Sequence, residues 1–181
     1  GGRRRWVRTF GTPGWDDAQG VATDSRGYVY VTGWTRRKFE AQAYRGGWSD
    51  AFLVKFDAKG QRRWARLLGG PSKDVARCVV TDESDRIHVA GHTTEAFGGS
   101  RRDIGWAEAF VGSFSPDGES LRMRHWGGPG GELVSGLAVP DANRMFLAGL
   151  IDETVGEQTY HGGSFDGFVA RLPRKTDRPG R

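Results

Sequence analysis

The sequence consists of three copies of a 58-residue repeat, and this period limits the possible folds more than any other feature. Shifting the chain by 58 residues, and then by 58 again, aligns residues 6–11 with 64–69 and 122–127 without a gap. The three copies account for almost all of the 181 residues. A tandem repeat of this length indicates one structural unit that stacks against its own neighbours.

Six alignment columns are identical in all three copies, and two more stay acidic. The identical columns are Arg8/Arg66/Arg124, Gly11/Gly69/Gly127, Pro13/Pro71/Pro129, Gly33/Gly91/Gly149, Gly47/Gly105/Gly163 and Phe52/Phe110/Phe168. The acidic columns are Asp16/Asp74/Glu132 and Asp50/Glu108/Asp166. We therefore divide the chain into a basic N-terminal end (1–5), repeats at 6–61, 62–119 and 120–174, and a basic C-terminal tail (175–181).

Each copy contains four short segments of strand-type composition, separated by clusters of Gly, Pro, Asp and Ser. In the first copy the segments are 6–11, 18–24, 28–33 and 50–57. No stretch has a helical period. Four antiparallel strands repeated radially are typical of a β-propeller blade, so the sequence predicts an all-β fold, a β-propeller-like array of three four-stranded antiparallel blades.

Side-chain size predicts the order of the strands within a blade, because the innermost strands crowd together near the axis. The second segment carries small residues at positions expected to share a face: Ala18, Gly20 and Ala22, then Ala76, Cys78 and Val80, then Val134, Gly136 and Ala138. We expect it to be innermost and the Trp6 segment to be outermost. The chain would then open with an outer strand and close with the three inner strands of another blade.

A propeller ring needs about four to eight blades, so three blades predict a partial propeller. The chain is then either a fragment of a longer propeller, which its start without Met favours, or a unit of which several copies assemble. We expect further blades from the parent chain or self-association to complete it.

Several motifs of the first repeat and the start of the second are specific enough to compare with known repeats: Gly33, Phe39, Gly46-Gly47, the run from Asp50 to Gly60 and the run from Trp64 to Gly70. Together they resemble the SBBP family of bacterial β-propeller repeats. The third copy departs from this pattern, because Arg122 replaces the Trp, Pro140 the strand-end Asp and Thr176 the turn Gly. Such repeats resemble modules of secreted or cell-surface bacterial proteins without assigned activity. The resemblance implies a non-enzymatic scaffold or binding role outside the cell and supplies no catalytic residues.

Residues 57–64 are also similar to the Trp-docking turn of quinoprotein propellers. That similarity implies an alternative function, a quinoprotein-like enzyme whose active site lies outside this chain.

The distribution of charge argues against nucleic-acid binding. The chain has 27 basic and 22 acidic residues, but the excess lies in residues 1–5 and 173–181, and the body between them is close to neutral. A duplex-binding domain needs a broad basic surface, so we expect no nucleic-acid partner. No apolar run approaches the length of a membrane span.

The sequence contains no motif for a hydrolase, a nucleotide site or a zinc site, and we expect no catalytic residue, cofactor or metal. The column Asp16, Asp74 and Glu132 would suit a weak Ca²⁺ site at one mouth of the channel or, more commonly for Asp after Gly-x-Pro, would accept hydrogen bonds from turn amides. We expect the second acidic column to end turns, and His88 and His92 to fill packing positions.

The loops on one face of the array are the expected contact surface for a protein or carbohydrate ligand. The connections that precede each innermost strand and those between the second and third strands emerge there together, and interfaces favour aromatic and Arg side chains. The candidate partner-binding residues are Trp15, Arg36, Arg37, Tyr44, Arg101, Arg102, Tyr160 and His161. Trp48 and Trp106 are repeat-equivalent, so we expect them to pack beneath the loops. Trp15 has no such equivalent and is the better candidate for an exposed contact.

Overall fold

The chain forms three antiparallel sheets, and each of the two four-stranded sheets takes its outer strand from the repeat that follows. The computed structural model describes residues 5–39, 42–95, 106–141, 144–156 and 159–173, which contain eleven strands and no helix. The strands are β1 (Asp16–Thr23), β2 (Val29–Thr35), β3 (Asp50–Phe56), β4 (Arg62–Leu68), β5 (Asp74–Thr81), β6 (Ile87–Thr93), β7 (Glu108–Phe114), β8 (Ser120–Trp126), β9 (Glu132–Asp141), β10 (Arg144–Ile151) and β11 (Asp166–Pro173). With no helix present, the described residues contain no helical membrane span.

The sheets have the strand orders β1-β2-β3-β4, β5-β6-β7-β8 and β9-β10-β11. This confirms the predicted all-β array of three blades. The first two blades have four strands each. The third has three within the described residues, which agrees with the prediction that the chain closes on the inner strands of a blade.

The first strand of each sheet is innermost, as predicted. β1 lies beside β5, and β5 lies beside β9. A Cβ on Gly20 would lie 3.0 Å from the carbonyl oxygen of Arg77 in the neighbouring sheet. Across the same junction, Thr81 Oγ1 donates a hydrogen bond to the carbonyl oxygen of Thr23 at 2.8 Å. The close approach of these two strands explains why the sequence needs small residues there.

The prediction that Ala18, Gly20 and Ala22 share one face is wrong, because each innermost strand contains a β-bulge. Ala18 pairs with Gly33 while Gly20 pairs with Thr32, so residue 19 is an extra residue that inverts the alternation. The second copy shows the result directly. Ala76 belongs to the core that faces the first sheet, whereas Cys78 packs against the core that faces the third.

The bulge also accounts for the identical column Gly33/Gly91/Gly149. A Cβ at each of these positions would collide with the backbone of the bulged strand, at the carbonyl oxygens of Asp17, Val75 and Leu133 respectively. Only glycine permits this approach.

The predicted outer strand at 6–11 is also wrong, since these residues form no strand. The equivalent segments β4 and β8 pair with β3 and β7. An outer strand completes the blade that precedes it in the chain, and the described residues contain no blade before β1. The segment therefore lacks a sheet to pair with.

The blades pack face to face, and each junction contains its own apolar core. Leu53 and Tyr30 of the first blade meet Val89 and Phe110 of the second. Val111 of the second blade meets residues of the third, including Leu147. β3 is buried along its whole length, because its two faces contribute to different cores.

A tryptophan and an arginine fasten β4 to the second blade, and a matching pair fastens the segment 6–11 to the first blade. Trp64 Nε1 donates to the carbonyl oxygen of Pro116 at 3.2 Å, and Arg66 Nε donates to that of Gly118 at 2.9 Å. Trp6 and Arg8 make the equivalent bonds to the turn at 57–60, at 3.1 and 3.0 Å. These contacts give the first two members of the identical Arg column their role, which the sequence analysis did not identify.

His88 and His92 are buried, which confirms that they fill packing positions. His88 bonds through Nε2 to Asp82 at 3.0 Å and through Nδ1 to Ser113 Oγ at 2.9 Å. His92 Nδ1 is buried, and none of the described residues forms a hydrogen bond with it. Burial, aided by the positive charges of Arg77 and Lys73, lowers the pKa of His92 to about 4.

The docking contact predicts different effects for alanine at two glycines with similar backbone. Gly27 and Gly118 have φ of 78° and 81°, so alanine at either position costs about 1–2 kcal/mol of left-handed strain. Only at Gly118 would the new Cβ also press on the Trp64 ring, at 3.1 Å. We expect Gly118→Ala to lower the free energy of unfolding by about 1 kcal/mol more than Gly27→Ala does, measured by urea titration. Equal losses would contradict the docking role.

The buried imidazole of His92 predicts a specific acid sensitivity. Below pH 6.5 His92 becomes protonated in the unfolded chain but stays neutral in the folded one. The free energy of unfolding therefore falls as the pH drops from 6.5 towards 4. Linkage gives a loss of about 2 kcal/mol on moving from about pH 7.5 to about pH 5. We expect His92→Leu, which copies the third repeat, to remove that loss from the unfolding free energy. Comparing the two proteins cancels the opposite contribution of Asp74, whose burial raises its pKa to about 6. An identical pH dependence in wild type and variant would contradict this prediction.

Candidate binding groove on the loop face

The two sets of loops predicted to share a face do lie side by side. The backbone N–H of Arg36 donates to the carbonyl oxygen of Trp15 at 3.0 Å, and that of Thr94 donates to Lys73 at 3.0 Å. These bonds join the end of the second strand of a blade to the residue just before its innermost strand. Side chains from both loops therefore project into common space.

A groove of about 500 Å³ opens between the loops of the first blade. Its lining includes four of the predicted partner-binding residues and Trp48. The four are Trp15, Arg36, Arg37 and Tyr44. The sequence analysis named them individually, and the structure places them around one concave surface.

The guanidinium of Arg36 lies among three indole rings. Its Cζ is 3.5 Å from the centroid of the Trp48 ring, 4.7 Å from that of Trp15 and 5.6 Å from that of Trp34. Trp34 and Trp48 also contact each other, with centroids 5.1 Å apart. Cation–π contacts contribute about 0.5–2 kcal/mol each, the larger values where water is excluded. They hold the guanidinium in place, and no described residue accepts a hydrogen bond from it.

We call the groove lined by Trp15, Arg36, Arg37, Tyr44 and Trp48, together with the adjoining Trp34 ring, the Arg36 groove. Its combination of Trp15, Trp34 and Arg36 occurs only in the first of the three copies. The positions of Trp15, Trp34 and Arg36 are occupied in the second copy by Lys73, His92 and Thr94, and in the third by Gly131, Leu150 and Asp152. The bulge glycine and the turn carboxylate, which serve the same purpose in each blade, recur in all three copies. A cluster confined to one copy therefore has a reason other than the blade itself.

Trp15 is 69% exposed, which agrees with its prediction as the better candidate for an exposed contact. The expectation that Trp48 and Trp106 pack beneath the loops is wrong in part, because they are 46% and 48% exposed. Each ring is nevertheless in contact with neighbouring side chains. Trp48 covers Arg36, while Trp106 contacts Phe165 and donates a hydrogen bond to Asp152.

Two of the remaining candidates, Tyr160 and His161, lie away from the Arg36 groove. Tyr160 and His161 line a separate cavity of about 280 Å³ on the third blade. The Tyr160 hydroxyl donates to the carbonyl oxygen of Gly163 at 2.9 Å, as that of Tyr44 does to Gly47 at 3.0 Å. This repeated bond ties the loop to itself and is structural. Arg101 and Arg102 lie outside the described residues.

The column Asp16, Asp74 and Glu132 supports its own turns. Their carboxylates accept backbone N–H bonds from Thr12 at 2.6 Å, Gly70 at 2.9 Å and Gly128 at 2.8 Å, always four residues earlier. The turn-amide alternative therefore describes these residues. No group of three metal-ligating side chains occurs within the described ranges.

Two members of the second acidic column accept hydrogen bonds from the turns before them, and the loop before the third member, Glu108, lies outside the described residues. Asp50 accepts from the N–H of Arg45 at 2.7 Å, and Asp166 accepts from that of His161 at 2.5 Å. Burial raises the pKa of Asp50. Glu108 instead lies 3.1 Å from Nδ1 of His125.

Sequence reasoning missed two contributors to the groove, Trp34 and Lys73. Trp34 stacks on Trp48, and the Lys73 ammonium lies 5.2 Å from the centroid of the Trp48 ring. The available signal was the departure of these positions from the repeat. Differences between the copies led to the predictions that His92 is packed and that Trp15 is exposed. They could not place Trp34 and Lys73 beside Trp48, because only the fold shows that β2 and the two loops converge.

Comparison with known proteins supports the repeat. Residues 5–36 and 63–98 match the family described as SBBP, a β-propeller repeat. A search of curated proteins found no match to the chain. The matched stretches begin at the docking Trp and run through the innermost strand and β2 or β6, which are the elements that define a blade here. Two stretches of the chain, in its first and second repeats, are therefore similar to SBBP β-propeller repeats.

Proposed function

We propose that this chain is a non-enzymatic β-propeller scaffold of a secreted or cell-surface bacterial protein that binds its partner through the Arg36 groove. The observation that carries the proposal is the position of Arg36 among three tryptophans, of which Trp15 and Trp48 are well exposed. The other two copies of the repeat lack this cluster. Such exposed indoles bury little area between blades, so their clustering around one guanidinium is best explained by contact with a partner.

The chemistry of the groove favours an acidic carbohydrate among the protein and carbohydrate ligands considered. Exposed indole faces suit the apolar face of a sugar ring, and a few convergent polar groups fix its orientation. Arg36 and Arg37 offer guanidinium groups that can pair with a carboxylate in bidentate fashion. Lys73 adds a further positive charge beside Trp48. A uronic-acid polymer combines both ligand features.

The absence of enzymatic activity and the location outside the cell rest on the likeness to SBBP modules and belong to the proposal. The likeness to quinoproteins concerns the docking of Trp64 on Gly118. That contact is packing between blades, so it brings no cofactor chemistry to this chain.

The proposal predicts that Trp48→Ala weakens binding to polygalacturonate by about tenfold or more, because losing one aromatic contact of about 1.4 kcal/mol has that effect. Binding would be followed by tryptophan fluorescence and by affinity electrophoresis, with neutral dextran as the comparison polymer.

The matched control is Trp106→Ala, which removes the repeat-equivalent and equally exposed indole from the second copy. It should leave the affinity unchanged. Equal losses in the two variants would overturn the assignment to the groove. Equal binding of dextran would overturn the preference for an acidic ligand, and no binding of either polymer would overturn the carbohydrate proposal.

A further inference from the structure

One repeat position shows that the third blade lacks a neighbour. Leu53 of the first blade is 0% exposed and Val111 of the second is 3% exposed, because each packs against the blade that follows. Val169 holds the equivalent position in the third blade and is 77% exposed. The same face of the third blade also exposes Leu150. An apolar face built to be covered is open at this end of the array.

The first blade also has an exposed face, which is the face that would pack against a preceding blade. Val79 of the second blade is 6% exposed because it faces the first blade, whereas its equivalent Val21 is 68% exposed. The exposed face of the third blade and the exposed face of the first blade are therefore the two surfaces that meet wherever neighbouring blades pack together. That junction already occurs twice within the chain.

The N-terminal segment is held where a missing fourth strand would be needed. Trp6 and Arg8 fasten it to the turn at 57–60, as Trp64 and Arg66 fasten β4 to the next blade. Phe10 packs against Phe52 and Phe56 at the outer side of the first blade. Within the described residues, the backbone of 6–11 pairs with no strand, and β11 has a neighbour only on its β10 side.

Lys55 and its repeat equivalent Arg171 also indicate a missing neighbour of the third blade. Lys55 Nζ donates to the carbonyl oxygen of Pro116 at 2.8 Å, beside the bond from Trp64. Arg171 is the equivalent of Lys55, and Ala58 is the equivalent of Pro116. The carbonyl oxygen of Ala58 already accepts the bond from Trp6. The exposed Arg171 of a preceding blade would supply its second donor.

From these equivalences we propose that two copies of this chain join head to tail into a six-bladed ring, in which residues 6–11 of each copy form the fourth strand of the other copy's third blade. The register follows from the pairing of β3 with β4, in which Val54 faces Ala65 and Leu53 faces Arg66. It places Ala170 opposite Val7 and Val169 opposite Arg8. Two copies give six blades, which lies within the range of about four to eight, whereas three copies would exceed it.

The mass in solution tests the proposal first. Sedimentation equilibrium of the 181-residue chain should give twice the 19.9 kDa of one copy. A stable monomer at the highest soluble concentration would overturn the proposal and would leave the open faces to further blades. Open polymers of increasing length would overturn the closed ring.

A charge placed on the open face should separate the copies without unfolding them. We expect Val169→Asp to shift the mass to that of a monomer while the far-ultraviolet circular dichroism stays unchanged, because the side chain is exposed in the single copy. Leu121→Asp is the control, since Leu121 is exposed on β8 of the middle blade and lies on neither open face. It should remain dimeric. A dimeric Val169→Asp variant would overturn the proposed interface.

Cross-linking tests the register. In a Cys78→Ala background, Val7→Cys combined with Ala170→Cys should form a disulfide between chains, because directly opposite residues of paired strands lie about 4.5–5.5 Å apart at Cα. Val7→Cys combined with Leu121→Cys should not. A cross-link within one chain, or equal cross-linking of both pairs, would overturn the pairing.

Discussion

Face-to-face burial between neighbouring sheets is the interaction on which the rest of this structure depends. The third strand of each blade is apolar on both faces. In β3, Phe52, Val54 and Phe56 pack on one side, while Ala51 and Leu53 pack on the other. A single blade would leave one of these faces in water at a cost of about 25 cal/mol for each Å² of apolar area. Stability therefore comes from the junctions, as in other repeat proteins.

The junctions also explain why so much of the repeat is invariant. The docking arginine reaches the turn of the next blade, the bulge glycine admits a backbone carbonyl oxygen, and the acidic residue before each innermost strand caps the turn that carries the chain between blades. Each requirement is steric or concerns a partly buried hydrogen bond. The glycine and the carboxylate act in all three copies, and the arginine contact is present in the first two. Residues that break the repeat, such as Trp15, Trp34 and Arg36, are free of these requirements and are available for function.

The sequence predicted the blades because its period, its turn residues and its strand alternation agree. The prediction failed at two kinds of place, and both failures have one physical origin. An alternation pattern assumes a regular ladder, so it could not reveal the extra residue at position 19 or 77. A strand-like composition assumes an available partner, so it could not reveal that 6–11 has no sheet to join. Strand formation is a property of pairs, and the partner is not encoded in the segment itself.

The sequence predicted that aromatic and arginine side chains share one face of the array. It did not predict which of them contact one another. The sequence by itself determined that the chain is a stack of repeated four-strand units whose inner strands carry small side chains, because spacing and side-chain volume are local properties. Only the tertiary structure decided that Trp15, Trp34 and Trp48 surround one guanidinium. Their contact depends on three segments, separated along the chain, that converge when two loops and a strand end meet at one edge of a sheet.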